Sequence, residues 1–147
     1  MVKSAFIRCK SCGVVNKIPS NRFNDKPNCG KCKSPLIIPE KPVDINSSNF
    51  DEEVLRWPGL VVLDFWAVWC GACRIVAPVL DELAVSARGF VKVAKIDVDK
   101  HPDLGKRFAI KATPTLILFR DGVKINQIEG ALSKDQLDQW IASSVKK

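Results

Sequence analysis

The chain has 147 residues, with 23 Lys/Arg against 16 Asp/Glu, a single histidine and 46% hydrophobic residues. That length holds one domain, or a small module plus one ordinary domain, and no apolar run approaches the roughly 18 residues of a membrane span. The formal charge of +7 is uneven: residues 1–42 hold nine Lys/Arg and only Asp25 and Glu40, whereas the remainder holds fourteen of each sign. Such an excess suits acidic partners or nucleic acid. No interleaved aromatic platform accompanies it, so the arm reads as a solvated Lys-rich module and nucleic acid is not expected as a partner.

All six cysteines lie in three Cys-x-x-Cys pairs, and the first two stand in this basic arm. Cys9/Cys12 and Cys29/Cys32 are separated by sixteen residues, a spacing that reads as one metal site. Four thiolates in a tetrahedral set imply structural zinc, with iron in a rubredoxin-like centre as the alternative that all-sulfur geometry leaves open. A closed site has no open coordination position, so no metal catalysis is expected. Gly13 and Gly30 are the residues expected to make the two tight turns that let backbone amides face the sulfurs. The arm's apolar pieces, such as Ala5-Phe6-Ile7 and Leu36-Ile37-Ile38, are too few for an unaided core, so a metal is expected to hold residues 1–38 together. Met1–Arg8 is too short and polar for the apolar region of a secretory signal. A reducing cytoplasm is therefore expected, where paired cysteines mean metal or catalysis more often than structural disulfides.

Pro39-Glu40-Lys41-Pro42 reads as a short, stiff linker. Beyond a possible short strand at 43–45, residues 46–57 read as a helix, with Ser47, Ser48 and Asn49 as cap-type residues and Asp51, Glu52 and Glu53 in its first turn. Residues 60–67 form a nearly unbroken apolar run, the mark of a strand buried on both faces. After Cys70 and Cys73, the helical recurrence of Val76, Val79/Leu80, Leu83/Ala84 and Ala87 predicts a helix kinked at Pro78. Residues 91–98 predict a second buried strand, and 102–108 a short helix. Residues 115–119 and 123–128 flank Asp121-Gly122, a hairpin signal. Ser133 with Gln136 predicts a capping box opening a last helix, whose inward face is Leu137, Trp140 and Ile141. Strands alternating with helices and closing on a hairpin give an α/β fold with a mixed sheet.

The third pair sits at a strand-to-helix junction. Cys70 there meets free backbone N–H groups and the positive end of a helix dipole, which favour a thiolate. Cys73 follows three positions later on the same helix face, within reach of Cys70. That geometry suits dithiol–disulfide exchange, with Cys70 attacking and Cys73 resolving the mixed disulfide. A buried inert pair or half of a second metal site is the bland alternative, and no further cysteine remains to complete such a centre. Asp64, a carboxylate within the apolar strand, should be partly protonated or paired; a satisfied structural acid is its plain alternative. His101, just before Pro102, is expected to cap or to lie at the surface.

Four segments in order, Leu63–Cys73, Lys95-Ile96-Asp97, Ala112-Thr113-Pro114-Thr115 and Gly130-Ala131-Leu132-Ser133, resemble the thioredoxin family over residues 43–147. With the four-cysteine arm in front, the chain resembles the second, zinc-containing type of bacterial thioredoxin. The resemblance implies a thioredoxin fold preceded by a zinc ribbon at residues 1–38 and a linker at 39–42. It implies a cytoplasmic protein-disulfide reductase, a monomer that acts on disulfide-containing proteins, needs no organic cofactor and is recycled by thioredoxin reductase. It places Asp64 beneath Cys73 as proton shuttle, with Lys95 as its charge partner. It also makes Pro114 a cis proline and gives substrate docking to Trp69, Gly71, Ala72, Thr113, Pro114 and Gly130. Trp66 could serve that surface or simply pack in the core.

Ala72 and Thr113 depart from the usual Pro and Ile of the family. Alanine supplies an N–H that proline lacks, close to the Cys70 sulfur. The couple should therefore be more oxidising than the roughly −270 mV of a thioredoxin. The same departure leaves a disulfide oxidase or isomerase as a sibling activity. A zinc-ribbon binding adaptor on a scaffold domain is the reading from another class.

Overall fold

The computed structural model describes residues 3–146. Its first unit is a hairpin of β1 (Ser4–Arg8) and β2 (Val15–Pro19), paired antiparallel from Ser4↔Pro19 to Arg8↔Val15, followed by a 3-10 turn at Ser20–Asp25. The larger sheet contains β3 (Val43–Asp44), β4 (Leu60–Trp66), β5 (Val91–Asp97), β6 (Thr115–Arg120) and β7 (Val123–Glu129), in the order β3-β5-β4-β6-β7. β3, β5 and β4 run parallel, and β6 and β7 are antiparallel additions. Helices α1 (Gly71–Ser86), α2 (Pro102–Arg107) and α3 (Lys134–Val145) complete the unit. This is the expected mixed sheet, with ends shifted by a residue at most strands, as helix and strand termini fray.

Alternation along the strands divides the interior into two layers. Val62, Leu116 and Leu118 face α1 and α3 through Val76, Leu80 and Leu137. Val61, Leu63, Phe65, Ile117 and Phe119 face the other way, onto Phe50, Val54, Trp57 and Leu104. The hairpin turn is as the sequence predicts: Asp121 and Gly122 both take positive φ (51° and 81°), the pairing whose twist matches the flanking strands. The capping box at Ser133 and Gln136 is present in both directions.

The segment expected as a helix over 46–57 is shorter and wider. Asn46 Oδ1 accepts from the N–H groups of Ser48 and Asn49 (both 2.9 Å) in a turn ahead of the helix, and Asp51–Leu55, with Phe50 as N-cap and no side-chain cap bond, is wound as a π-helix. The Arg56 N–H reaches the Asp51 carbonyl at 2.8 Å, closing the wide turn. Pro58 and Gly59 follow directly and stop the helix from continuing.

The arm does not stand apart on its linker. Ala5, Ile7, Ile18, Phe23, Leu36 and Ile38 share one apolar cluster with Phe50, Val54 and Trp57, so the larger unit supplies the core that the arm lacks. The Phe23 ring lies against Gly89, where φ is +85° and a Cβ would come within 2.6 Å of the ring. The Arg88 guanidinium donates to Asn24 Oδ1 (2.9 Å) and sits 3.4 Å from Glu40. Arg8 Nε donates to the Arg56 carbonyl (2.8 Å). Beneath these contacts Lys92, 3% exposed, donates to Glu53 Oε2 (2.8 Å) and to its carbonyl (2.9 Å) and lies over the Trp57 ring. Lys10 of the arm reaches the same carboxylate at 3.2 Å. Gly89 precedes β5, whereas Cys70 follows β4, and the two strands are parallel. The arm therefore docks at the opposite end of the sheet from Cys70, about 20 Å of strand away.

Candidate redox and metal sites

Cys70 leaves the buried β4 and caps α1. Its backbone is extended (φ −88°, ψ 112°), and its sulfur accepts the Cys73 N–H at 3.1 Å. Cys70 and Cys73 are joined as a disulfide, and both are largely buried. The donor to the Cys70 sulfur is thus the Cys73 amide; no such bond from the expected Ala72 N–H is found among the described residues. The Cys70 sulfur lies 3.3 Å from the Thr113 carbonyl oxygen, which a Cys70 thiol would donate to. The Thr113–Pro114 bond is cis. Gly130 closes this side by donating its N–H to the Pro114 carbonyl at 2.9 Å.

Around the sulfurs the surface is apolar and open. Trp69 is 71% exposed, with Val68 and Ile75 also at the surface. Its indole N–H donates to Asp99 Oδ2 (2.9 Å), and Asp99 is itself held by an N–H bond to Asp97 Oδ1 (3.0 Å). Sequence reasoning passed over Asp99, because nothing local ties the end of β5 to a tryptophan thirty positions earlier. Gly71 opens α1 with free space where a Cβ would stand, and Ala72 packs against the cysteine pair. Trp66 packs there too, with its indole nitrogen buried and unpartnered.

Asp64 occupies the α1-facing side of β4 and is 1% exposed, with Oδ1 lacking any hydrogen-bond partner. Burial pushes its carboxyl up to about 7, against the opposing pull of Lys95. Lys95 is its register partner on β5, so the two side chains stand on one face as neighbours. Their contact is through space: among the described residues no Asp64–Lys95 ion pair forms, and Lys95 Nζ lies 5.1 Å from the Trp66 ring centre. A cleft of about 210 Å³ joins Asp64, Lys95, Trp66 and Cys73, wide enough for water to link carboxyl and sulfur. His101 opens α2 as its cap residue without a side-chain bond.

At the other end, Cys9, Cys12, Cys29 and Cys32 bring their sulfurs within 4.8 Å of one another. Cys9–Cys32 and Cys12–Cys29 approach to 3.5 and 3.6 Å. A regular tetrahedron with metal–sulfur bonds of about 2.3 Å has edges of about 3.8 Å, so the set fits zinc. The two knuckles are alike: Gly13 N–H donates to the Cys9 carbonyl (2.9 Å) and Lys33 N–H to the Cys29 carbonyl (3.0 Å). Gly13 and Lys33 both take positive φ (84° and 67°). The second turn therefore rests on Lys33, and the expectation for Gly30 is corrected. Gly30 instead donates to Asn16 Oδ1 (2.9 Å). Amide donors from Cys32 and Lys31, against some desolvation, and the Asn16 amide hold the Cys29 thiol down at about 6. For Cys12 the pull of the Val14 amide is outweighed by desolvation and the neighbouring sulfurs, leaving its thiol at about 11. Four crowded thiols do not all ionise by themselves, and a divalent cation removes that conflict.

Known proteins are similar along both units. The thioredoxin family model matches residues 41–143, and a model described as "Thioredoxin 2, N-terminal" matches residues 8–34. The chain is 34% identical over 141 residues, 96% of each chain, to Thioredoxin C-3 of Corynebacterium nephridii. It is 39% identical over 107 residues to a thioredoxin of Pseudomonas aeruginosa, 72% of this chain and 98% of the relative. With Thioredoxin 1 of a Nostoc species it shares 42% over 97 residues, 66% of this chain and 91% of the relative. A mixed sheet with its dithiol at a strand-to-helix junction and a four-cysteine ribbon in front agree with these matches, and the chain belongs to the thioredoxin family of thiol–disulfide oxidoreductases.

Proposed function

We propose that this protein is a protein-disulfide reductase working through Cys70 and Cys73. In the reduced form the Cys70 thiolate attacks one sulfur of a target disulfide, releasing the other as a thiolate that takes up a proton. Cys73 then attacks the Cys70 sulfur and frees the second target thiol, leaving Cys70–Cys73 oxidised, so that two electrons and two protons pass to the target. The capping position of Cys70 at α1, with the Cys73 N–H on its sulfur, is the observation that carries this reading, because it favours thiolate at Cys70. Asp64 takes the Cys73 proton through the cleft, and Lys95 keeps its carboxyl from rising further. Trp69, Gly71, Ala72, Thr113, Pro114 and Gly130 form the docking surface.

The reading divides the chain into a ribbon at 1–38, a junction at 39–42 and a thioredoxin domain at 43–147. Cys9, Cys12, Cys29 and Cys32 would hold one structural zinc, which when bound supplies charge and four fixed bonds to the ribbon and no open position for chemistry. The protein acts as a cytoplasmic monomer, reduced again by an NADPH-dependent thioredoxin reductase. The test is insulin-disulfide reduction with NADPH and that reductase. The parent chain turns over, Cys70→Ser does not, and Cys73→Ser halts as a trapped mixed disulfide. Turnover by Cys70→Ser would overturn the assignment.

A further inference from the structure

Beside the cysteine pair, the exposed face of Trp69 continues into a groove of about 480 Å³, floored by Val98 and Ile110 and running from Thr113 to α2. Only two charged side chains line it, Lys106 and Lys111, both exposed. Among the described residues neither has a carboxylate within ion-pair distance. The nearby acids are already engaged: Asp99 accepts from Trp69, and Asp103 accepts from Ser47 Oγ at 2.6 Å. Arg107, next to Lys106, lies over the Phe50 and Phe108 rings. The groove thus presents two ammonium groups, neither in an ion pair among the described residues, along one wall of an apolar channel that ends at Thr113, whose carbonyl lies against the Cys70 sulfur.

Resting on the reductase reading, the geometry points to Lys106 and Lys111 as the residues that set substrate choice, selecting polypeptides with an acidic side chain about two residues from the target cysteine. Lys111 is two positions before Thr113, just ahead of the bend that leads into β6, and so at most about 7 Å from it along the chain. A substrate backbone lying beside Thr113 therefore brings its second neighbour of the cysteine level with that ammonium. Complementary charge at an exposed site acts chiefly on encounter and register, and salt weakens it.

The test uses the pre-reduced full-length protein and peptides whose single cysteine is capped as a disulfide with 2-thiopyridine. Attack by Cys70 on the peptide sulfur releases thiopyridone, and Cys73 then frees the peptide thiol. Peptides carry Glu, Gln or Lys two positions before or after the cysteine, and the second-order rate constant is read at low and high salt. Glu should outrun Lys by about fivefold to tenfold, the scale of two exposed ion pairs, and the ratio should shrink toward one at about 0.5 M salt. Lys106→Gln with Lys111→Gln should erase the order, and Lys106→Glu with Lys111→Glu should invert it. Equal rates for the three peptides, a preference for Lys, or an order that persists in the charge-reversed protein overturns the inference and leaves the reductase reading standing. No reaction with any peptide overturns the reductase reading itself.

Discussion

The two ribbon knuckles and the third cysteine pair share a spacing, but their backbones put it to different use. In each knuckle the residue after the second cysteine, Gly13 or Lys33, turns into the left-handed region. The chain reverses there, and the closest sulfur approaches run across the knuckles, Cys9 to Cys32 and Cys12 to Cys29. After Cys70 the chain continues as α1, which stacks Cys73 beside its own partner, so the bond forms inside the motif. A reverse turn therefore leaves thiols for a shared centre, while a helix start turns the same four residues into a dithiol. Their surroundings differ as well: the ribbon cysteines sit in a basic arm with Cys9 and Cys29 buried and Cys12 and Cys32 exposed, whereas Cys70 and Cys73 are both buried beneath an apolar surface.

The largest break in this contrast comes from removing one ribbon ligand. In zinc modules the binding free energy is folding free energy, on the order of 10–16 kcal/mol. Cys29→Ser should lose the metal and unfold residues up to about 38, while Cys70/Cys73 exchange survives at the far end of the sheet. Metal content, together with amide exchange over the ribbon, reads the outcome. Near-full zinc occupancy in Cys29→Ser would sink the four-thiolate assignment.

Next in size is the buried pair on which the ribbon docks. Glu53→Gln leaves the Lys92 ammonium buried with neutral acceptors and a tryptophan face but no counter-charge, and breaking a buried pair costs about 3–5 kcal/mol. Lys10 loses its anchor in the same variant. Denaturant unfolding should show the loss, with faster proteolysis in residues 39–42 as the ribbon loosens. Equal stability of parent and variant would mean that the ion pair contributes nothing to docking.

Asp64 tests the redox end without touching the ribbon. An unfolded aspartate releases its proton near pH 3.9, whereas the buried carboxyl holds it to about 7. Between those values the folded chain binds more protons than the unfolded one, so stability falls as pH rises through this window. The difference of about three units corresponds to at most about 4 kcal/mol. Asp64→Asn should therefore be more stable than the parent at pH 8 and gain little at pH 4. It should also release mixed disulfides more slowly between about pH 6 and 9, the range in which a raised carboxyl and a thiol titrate. A variant with unchanged exchange across that range would make Asp64 a structural acid only.

Signals contained within a few residues were legible before the fold was known. The Asp121-Gly122 turn, the Ser133/Gln136 box, the unbroken β4 run and the spacing of the cysteines each state their own geometry. What escaped was set by partners distant in sequence. Phe23 meets Gly89, Glu53 meets Lys92 and Trp69 meets Asp99, across 66, 39 and 30 positions, and no local pattern announces them. Lys33 in a left-handed turn was hidden because glycine, not lysine, is the residue that conformation favours. The site itself was readable as cysteines and an anomalous carboxylate. Which amide serves which sulfur was not, since adjacent N–H groups in a first helical turn differ only in direction.

That last distinction gives the smallest and sharpest comparison. In the ribbon two amides face the Cys29 sulfur, that of Cys32 three residues on and that of Lys31 two residues on, the latter at 3.4 Å. At α1 only the amide three residues on does so among the described residues, Cys73 for Cys70 at 3.1 Å. Ala72, like Lys31, is the residue two positions on, so the helix has turned its N–H away from the sulfur. Replacing it by proline, which the first helical turn tolerates, removes no bond to the Cys70 thiolate. A charge-assisted hydrogen bond is worth about 1.5–3 kcal/mol, and about 1.4 kcal/mol corresponds to 30 mV for this two-electron couple. Without that bond to lose, Ala72→Pro should lower the potential by less than about 15 mV, only the part of the dipole field that one N–H supplies. Equilibration of both proteins against a thioredoxin of known potential measures the difference. A fall of about 30 mV or more would mean that the Ala72 amide turns onto the sulfur once the disulfide opens, and that the reduced pair borrows the knuckle's geometry after all.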